Sequence, residues 1–284
     1  MILSEALHSA SHTLSVAGID DASIEAEILL CYVLGISKTQ LYAQPEKSLT
    51  STEVSNLQHL IQRRLLREPM AYILKRCEFY DAEFYIDRRV LIPRPETELL
   101  VEKAIEFAHR PSPSGKQFTI ADVGTGSGAI AISLSLALPQ AKIYAIDISA
   151  SALQVASMNC QHYKLNGRVT LLHGNILEPL PKPVDMIVAN LPYIKNCELK
   201  TLSPEIINFE PMIALSGGED GLDNIRSLLV QTPEKIHSKG CLLLEIGHEQ
   251  DKAVTTAINS YLPQASVELF PDLSGINRVA KVAL

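Results

Sequence analysis

The second part of the chain alternates short apolar runs with segments whose apolar residues have helical spacing. The apolar runs lie at 118–123, 142–146, 169–172, 184–189 and 241–246. Strands that alternate with helices form parallel sheets with helices on both faces. Two last runs, at 267–270 and 279–284, are too close for a helical crossover and should pair antiparallel. The sequence therefore predicts an α/β fold with a doubly wound sheet.

Residues 1–70 have a different pattern, in which apolar residues share helix faces. Three such faces consist of Leu3, Leu7, Ala10 and Leu14; of Ala26, Leu29, Leu30, Val33 and Leu34; and of Val54, Leu57, Ile61 and Leu65. This predicts a small helical N-terminal domain. We assign it to partner recognition, with a scaffolding role as the equal alternative. A basic run that begins with Arg63, Arg64 and Arg67 is either a solvated face or a contact for an acidic or RNA-bearing partner.

Residues 71–95 are expected to join the two domains. The runs 72–74, 79–80 and 84–86 are aromatic and β-branched, and the polar Asp81–Glu83 interrupts them, which predicts a β-hairpin. Pro93 and Pro95 stiffen the linker that follows. We expect Pro95 in the first turn of a helix. The second domain then spans 96–284, with a break in the pattern at 111–115.

Composition excludes several classes of protein. With 284 residues, 46% of them hydrophobic, the chain can bury the cores of two domains, and no run approaches a membrane span. Its net charge of −7 argues against a broad nucleic-acid-binding surface. Five widely spaced cysteines, with no C-x-x-C pair, fit reduced thiols rather than disulfides or a zinc site. We therefore expect a cytoplasmic protein that binds neither metal nor membrane.

A glycine loop follows the first run of the α/β region. Its G-x-G-x-G spacing, from Gly124 to Gly128, lets a ligand approach the backbone and a helix N-terminus. Asp147 ends the next strand 19 residues beyond Gly128, where a carboxylate can accept both ribose hydroxyls. The spacing suits a nucleoside with an amino-acid tail, as in S-adenosylmethionine. Asn175 and Ile176 are then candidates to contact the adenine, although Asn175 is equally consistent with an ordinary turn.

The fourth run ends abruptly in Asn190, Leu191, Pro192 and Tyr193. Taken alone, this is either a strand exit or a substrate clamp, because ligands bind at the carboxyl edge of such sheets. Beside a methyl donor, the Asn190 side-chain oxygen and the Leu191 carbonyl can accept the two N–H hydrogens of a planar amide. Tyr193 can stack on that amide. Orientation and electrostatics then carry most of the catalysis, without a strong base.

Several motifs together resemble one family. They are Arg-Glu-Pro-Met-Ala-Tyr at 67–72, Leu-Ile-Pro-Arg-Pro-Glu-Thr-Glu at 91–98, Asp-Val-Gly-Thr-Gly-Ser-Gly-Ala-Ile-Ala at 122–131, Asn-Leu-Pro-Tyr-Ile at 190–194, Phe-Glu-Pro at 209–211 and Leu-Leu-Leu-Glu-Ile-Gly at 242–247. This set strongly resembles the HemK/PrmC family of N5-glutamine methyltransferases, which modify the Gly-Gly-Gln loop of class 1 peptide chain release factors. The resemblance covers nearly the whole chain, most weakly in the first 60 residues.

The resemblance implies a class I, Rossmann-like methyltransferase domain of seven strands, joined by a hairpin to the helical domain. It implies that Gly124, Thr125, Gly126, Ser127 and Gly128 hold the methionine part of the cofactor and Asp147 the ribose. Residues 190–193 would hold the substrate glutamine. The chain departs from the family at Leu191, where proline is usual.

Two other classes of function compete with this interpretation. Methyltransferases that act on exocyclic amines of nucleic-acid bases use a similar Asn/Asp-Pro-Pro-aromatic motif. The acidic net charge and the linker motif count against that class. Leu191 prompts a second alternative, a cofactor-binding module that docks on release factors without turnover.

Overall fold

The computed structural model describes residues 1–109 and 117–284. The expected break at 111–115 lies outside them. Contacts divide the chain into two compact units, one formed by Met1–Lys75 with Ser203–Phe209, the other by Arg76–Leu202 with Glu210–Leu284. No helix among the described residues is long and apolar enough to cross a membrane.

The first unit is helical, as the sequence predicts for its N-terminal part. Its helices are α1 (Leu3–Val16), α2 (Ala22–Leu34), α3 (Lys38–Ala43), α4 (Ser51–Leu65) and α5 (Met70–Leu74). Leu3, Leu14, Leu29 and Leu30 are at most 1% exposed and form the centre of one apolar core. The α4 helix begins with a capping box, in which Thr50 and Glu53 bond each other's backbone N–H.

A short helix from the distant part of the chain completes this unit. Pro204–Phe209 contributes Glu205, whose carboxylate accepts from Arg64 at 3.1 Å and from Arg67 at 3.4 Å. Arg64 is buried and also bonds Glu25 at 2.7 Å. Arg63, the next member of the basic run, forms a bidentate pair with Glu68. These three arginines are therefore paired within the unit.

The second unit begins with a two-stranded hairpin, β1 (Arg76–Phe79) and β2 (Ala82–Tyr85). Tyr80 and Asp81, at its two-residue turn, both have positive φ, as a type I′ turn requires. The prediction that residues 72–74 belong to the hairpin is wrong, because they form α5. Pro69 precedes the first residue of that helix, and Lys75 ends the helix with φ +56°. These start and stop signals decide the conformation despite the β-branched composition.

The rest of the second unit is a seven-stranded sheet with helices. In chain order, after a 3-10 turn at Pro95–Thr97, the elements are α6 (Glu98–Ala108), β3 (Thr119–Val123), α7 (Ala129–Ala137), β4 (Lys142–Asp147), α8 (Ala150–His162), β5 (Val169–His173), β6 (Val184–Ala189), α9 (Pro204–Phe209, in the first unit), α10 (Asp223–Lys235), β7 (Ile236–Glu245), α11 (Asp251–Tyr261), β8 (Ser266–Pro271) and β9 (Asn277–Ala283). The strand order is β5-β4-β3-β6-β7-β9-β8.

The sheet is parallel except where β9 pairs antiparallel with β7 and β8. This confirms the predicted α/β class and the terminal hairpin. All five residues of β3 are buried, which requires cover on both faces of the sheet. The order also places β3 and β6, the first and fourth strands of the α/β region, next to each other.

Candidate active site

The register of the four central strands aligns their carboxyl ends. Val123 pairs with Ile146 and with Ala189, and Ala189 pairs with Leu244. The next residues along each strand are therefore Asp147, Gly124, Asn190 and Glu245, in a row across one edge of the sheet. In open α/β sheets this edge is where ligands bind.

A cavity of about 850 Å³, open to solvent, lies at this edge. Among the predicted site residues, its lining includes Gly124, Gly126, Asp147, Asn175, Asn190, Leu191 and Pro192. The structure therefore brings most of the predicted residues to one concave surface.

The glycine loop is shaped by three residues in the left-handed region: Gly124, Gly126 and Gly128 have φ of +76°, +56° and +84°. A Cβ on Gly124 would lie 3.2 Å from Leu191 Cδ2, so the loop passes close to the turn after β6. Glycine satisfies both demands, a positive φ and a close approach.

Asp122 holds the loop from inside. Its carboxylate accepts from the Thr125 hydroxyl at 2.6 Å and from the Ala131 N–H at 3.1 Å. Burial raises its pKa to about 7, while these two hydrogen bonds act to lower it. Sequence reasoning gave Asp122 no role, although an acid just before a glycine loop was visible.

Three predicted loop residues do not line the cavity. Thr125 is buried with its hydroxyl on Asp122, and the carbonyl of buried Ser127 accepts from Asn159 Nδ2 at 2.8 Å. Gly128 caps the start of α7, where a Cβ would lie 3.3 Å from Ala156 Cβ. Their contacts with a cofactor stay a prediction.

Asp147 closes the other side of the loop. Its two carboxylate oxygens accept from the N–H groups of Gly126 and Ser149, each at 2.8 Å. Burial raises its pKa, and these backbone hydrogen bonds oppose the rise. Each oxygen retains acceptor capacity toward the cavity, since a carboxylate offers about four lone-pair positions.

Residues after β5 form a further wall. Asn175 is exposed and Ile176 is buried, and both line the cavity with Ile148. Ile176 has φ +54°, a strained backbone for a β-branched residue. An apolar wall, a paired carboxylate and a glycine loop at a helix N-terminus fit the adenine, ribose and amino-acid parts of S-adenosylmethionine.

The turn after β6 is held at three places. Asn190 Nδ2 donates to Thr97 Oγ1 at 3.0 Å, Asn224 Nδ2 to the Pro192 carbonyl at 3.0 Å, and Gln250 Nε2 to the Tyr193 carbonyl at 3.0 Å. The first bond holds the Asn190 side chain, and the other two hold the backbone carbonyls of the turn. Leu191 is buried, with Cδ2 against Gly124.

Three glycines let the chain pack directly against this turn. A Cβ on Gly217 would lie 2.7 Å from Tyr193 Cα, and one on Gly221 would lie 2.4 Å from the Tyr193 carbonyl oxygen. A Cβ on Gly247 would lie 3.0 Å from the Tyr193 ring. We call these residues the glycine cradle. Sequence reasoning missed it, although Gly-Gly at 217–218 is a signal of close backbone approach.

The Tyr193 hydroxyl donates to Glu245 Oε1 at 3.3 Å. Burial is the main cause of a raised Tyr193 pKa, so its hydroxyl stays protonated. Tyr193 itself is not among the cavity-lining residues, and its stacking on a substrate stays a prediction. Glu245 and Thr97 were also missed as site residues.

Near the cavity lies an ion pair between the half-buried Arg94 and the buried Glu210. Glu210 accepts from Arg94 at 2.5 Å and from the Ile92 N–H at 3.4 Å. This pair joins the linker motif to the Phe-Glu-Pro motif, beside the cavity residues Leu91 and Pro211. The sequence shows both motifs, but it does not predict that they contact each other.

Comparison with known proteins agrees with this geometry. The catalytic domain of hMettl16, solved in complex with the MAT2A 3′UTR hairpin 6, has a TM-score of 0.54 and 13% identity, and covers 82% of this chain and 81% of that chain. This likeness shows the fold. The model of the methyltransferase small domain matches residues 97–219, and that of the PrmC N-terminal domain matches residues 5–74. The fold and cavity thus define a class I methyltransferase.

The relatives narrow this class further. The release factor glutamine methyltransferase of Moorella thermoacetica is 39% identical over 279 residues, 98% of this chain and 97% of that protein. That of Thermodesulfovibrio yellowstonii is 40% identical over 258 residues, 90% of each. The chain belongs to the release factor glutamine methyltransferase family, which confirms the predicted resemblance.

Proposed function

We propose that this protein transfers a methyl group from S-adenosylmethionine to the side-chain amide nitrogen of the glutamine in the Gly-Gly-Gln loop of peptide chain release factors. The observation that carries the proposal is the position of Asn190. Its amide lines the same cavity as Gly124, Gly126 and Asp147, with its nitrogen held by Thr97. Family membership over nearly the whole chain supports the substrate.

The bound cofactor supplies an electrophilic sulfonium methyl group. On the cofactor side, the free lone pairs of Asp147 accept the ribose hydroxyls, and the glycine loop admits the methionine backbone. On the substrate side, Asn190 Oδ1 and the Leu191 carbonyl accept the two N–H hydrogens of the glutamine. This turns the nitrogen lone pair toward the methyl group. The glutamine nitrogen would take the methyl group and lose one proton to water, while the sulfonium would leave as a neutral thioether.

Catalysis on this proposal rests on orientation. An amide nitrogen is a poor nucleophile because its lone pair is delocalised into the carbonyl. Holding the reacting atoms in line converts the reaction into an effectively unimolecular step, worth roughly 7–11 kcal/mol in favourable cases. The side-chain bonds to the carbonyls of Pro192 and Tyr193 keep the acceptors fixed for this purpose.

The test is methyl transfer from labelled S-adenosylmethionine to a purified class 1 release factor. We expect label on the glutamine, seen as a mass increase of one methylene. A release factor with that glutamine replaced by asparagine is the matched control. Asn190→Ala should abolish transfer and leave cofactor affinity within a few-fold. Label on DNA or RNA alone would contradict the proposal, and cofactor binding without any transfer would favour a docking module.

We also propose that the helical unit recognises the release factor. Ile24, Ile28 and Tyr32 share one face of α2 and are 53%, 38% and 43% exposed. A contiguous apolar stripe of this kind is typical of an interaction surface. Ile24→Asp should raise KM for the release factor without changing kcat. Val16→Asp, at a position 75% exposed on α1, is the control; equal effects of both changes would favour a scaffolding role. We place the reaction in the cytoplasm, consistent with five free cysteines.

A further inference from the structure

The side-chain amide of Asn190 has two orientations that occupy the same space. Only one of them presents an oxygen to the substrate; the other presents an NH₂ group that repels the N–H hydrogens of glutamine. On the proposed function, the protein must therefore select the first orientation. In the structure Asn190 Nδ2 donates to Thr97 Oγ1 at 3.0 Å, which turns Oδ1 away from Thr97.

A hydroxyl alone does not select an amide orientation, since it both donates and accepts. Thr97 becomes selective only if its own proton is committed elsewhere. The Thr97 side chain also lies near the Glu245 carboxyl, whose pKa it acts to lower. Glu245 Oε2 is buried without a hydrogen-bond partner among the described residues, so it is an acceptor open to the Thr97 proton. With its proton directed to Glu245, Thr97 Oγ1 can only accept from Asn190.

We propose that Thr97 and Glu245 are positioning residues for methyl transfer, which hold the Asn190 amide with Oδ1 toward the substrate nitrogen. This inference rests on the proposed function. Glu245 is placed for the role by the register of the sheet, because it follows Leu244, the partner of Ala189, and thus lies beside Asn190. It is 3% exposed and also accepts from the Tyr193 hydroxyl, so one carboxylate orients both side chains of the turn.

Two observations argue against a merely structural role. Thr97 ends the 3-10 turn before α6 with helical backbone angles, and its side chain makes no capping hydrogen bond to that helix. Its hydroxyl is therefore not used by the helix and bonds Asn190 instead. Glu245 Oε2 is buried without a hydrogen-bond partner among the described residues. A buried oxygen without a partner is costly, and a role in the site explains why it is kept.

The ionisation of Glu245 makes the orientation of the Asn190 amide depend on pH. Burial raises the pKa of Glu245 to about 7, and Glu96 raises it as well; Thr97, Tyr193 and Arg278 act to lower it. When protonated, the carboxyl can donate to Thr97 and release the threonine proton toward Asn190. The selection of the amide orientation is then lost. We therefore expect kcat to rise with pH through an ionisation near 7.

The first test compares two substitutions at Thr97, assayed with the full chain and a purified release factor. Thr97→Val keeps the shape and removes the hydroxyl, and should lower kcat by about 10- to 100-fold, as expected when a reacting group is misplaced. Thr97→Ser should recover kcat to within about threefold. The affinity for S-adenosylmethionine, measured by calorimetry, should stay within about twofold in both.

Thr232→Val is the matched control. Thr232 is a fully buried threonine of α10 whose hydroxyl donates to the Leu228 carbonyl, outside the site. It should lose some thermal stability and keep its kcat. A serine variant at position 97 as slow as the valine variant would overturn the proposal, as would normal kcat in Thr97→Val.

Glu245→Gln gives independent evidence, which also covers the case that Thr97→Val fails to fold. This variant cannot ionise, so the rise of kcat near pH 7 should disappear while KM for the release factor changes little. An unchanged pH profile would overturn the proposal. If the wild type methylates nothing in the same assay, the proposed function fails; if it methylates the release factor while these variants behave normally, only the positioning role fails.

Discussion

Replacing Gly221 with alanine should separate the rigidity of the substrate turn from the stability of the fold. Gly221 has φ +80° and its added Cβ would meet the Tyr193 carbonyl oxygen at 2.4 Å and Gln250 Nε2 at 2.6 Å. Real Cβ contacts are essentially never under 3.0 Å, so the Tyr193 carbonyl must move by at least 0.6 Å. The bond from Gln250 that holds this carbonyl is disturbed by the same change.

The expected effect of Gly221→Ala has two parts, a loss of stability and a loss of rate. A non-glycine residue in the left-handed region costs about 1–2 kcal/mol, which lowers Tm by about 2–4 °C per kcal/mol in a domain of this size. A displacement of about 1 Å near the reacting atoms costs up to about 100-fold in rate. We therefore expect Gly221→Ala to lower kcat for methyl transfer by about 10- to 100-fold, beyond its loss of stability.

Gly275→Ala provides the matched control. Gly275 has the same φ of +80°, but nothing lies within 4 Å of its added Cβ. It should show the loss of Tm without a loss of kcat. The assay is methyl transfer at saturating cofactor and release factor, well below the Tm of both variants. If Gly221→Ala keeps a kcat within twofold of Gly275→Ala, the glycine cradle does not fix the turn and the reasoning is refuted.

Three further outcomes are expected. Asp147→Ala should weaken binding of S-adenosylmethionine by about 1.5–3 kcal/mol, the range for hydrogen bonds to charged groups, and unchanged affinity by calorimetry would contradict its ribose role. Asp122 has a pKa raised from 3.8 to about 7 in the folded protein, so its contribution to folding stability is lost as pH rises between these values. The free energy of unfolding in urea should therefore vary less between pH 4 and 7 for Asp122→Asn than for the wild type. Glu205→Gln removes the charge that Arg64 and Arg67 share, so hydrogen exchange in α4 should speed up, and an unchanged rate would show that the pair is not stabilising.

The sequence was informative where local pattern and tertiary structure agree. The run 184–189 is apolar except for Asp185 and is a strand with these limits, because it lies in the centre of a parallel sheet. The glycine loop and Asp147 could be placed at the carboxyl edge of the sheet because the signals for them are local in the sequence. The run at 72–74 was wrongly assigned to the hairpin, because three residues are too few to show a hydrophobic periodicity. The turn signals on either side decide their conformation.

The missed site residues depend on contacts across the sequence. Thr97 and Asn190 are 93 positions apart, and their hydrogen bond follows from tertiary structure alone. Glu245 was within reach of prediction, since it ends the strand next to β6 and strand ends at one edge carry function. The glycine cradle could be suspected from Gly217, but the backbone it contacts could not be identified.

The attachment of α9 to the helical unit has a consequence for biosynthesis. Arg64 and Glu205 are separated by 141 positions, which a ribosome adding about 5–20 residues per second covers in roughly 7–28 s. During that interval the nascent helical unit carries the buried Arg64 with Glu25 as its partner and without Glu205. The first part of the protein to be synthesised is therefore among the later parts to be completed.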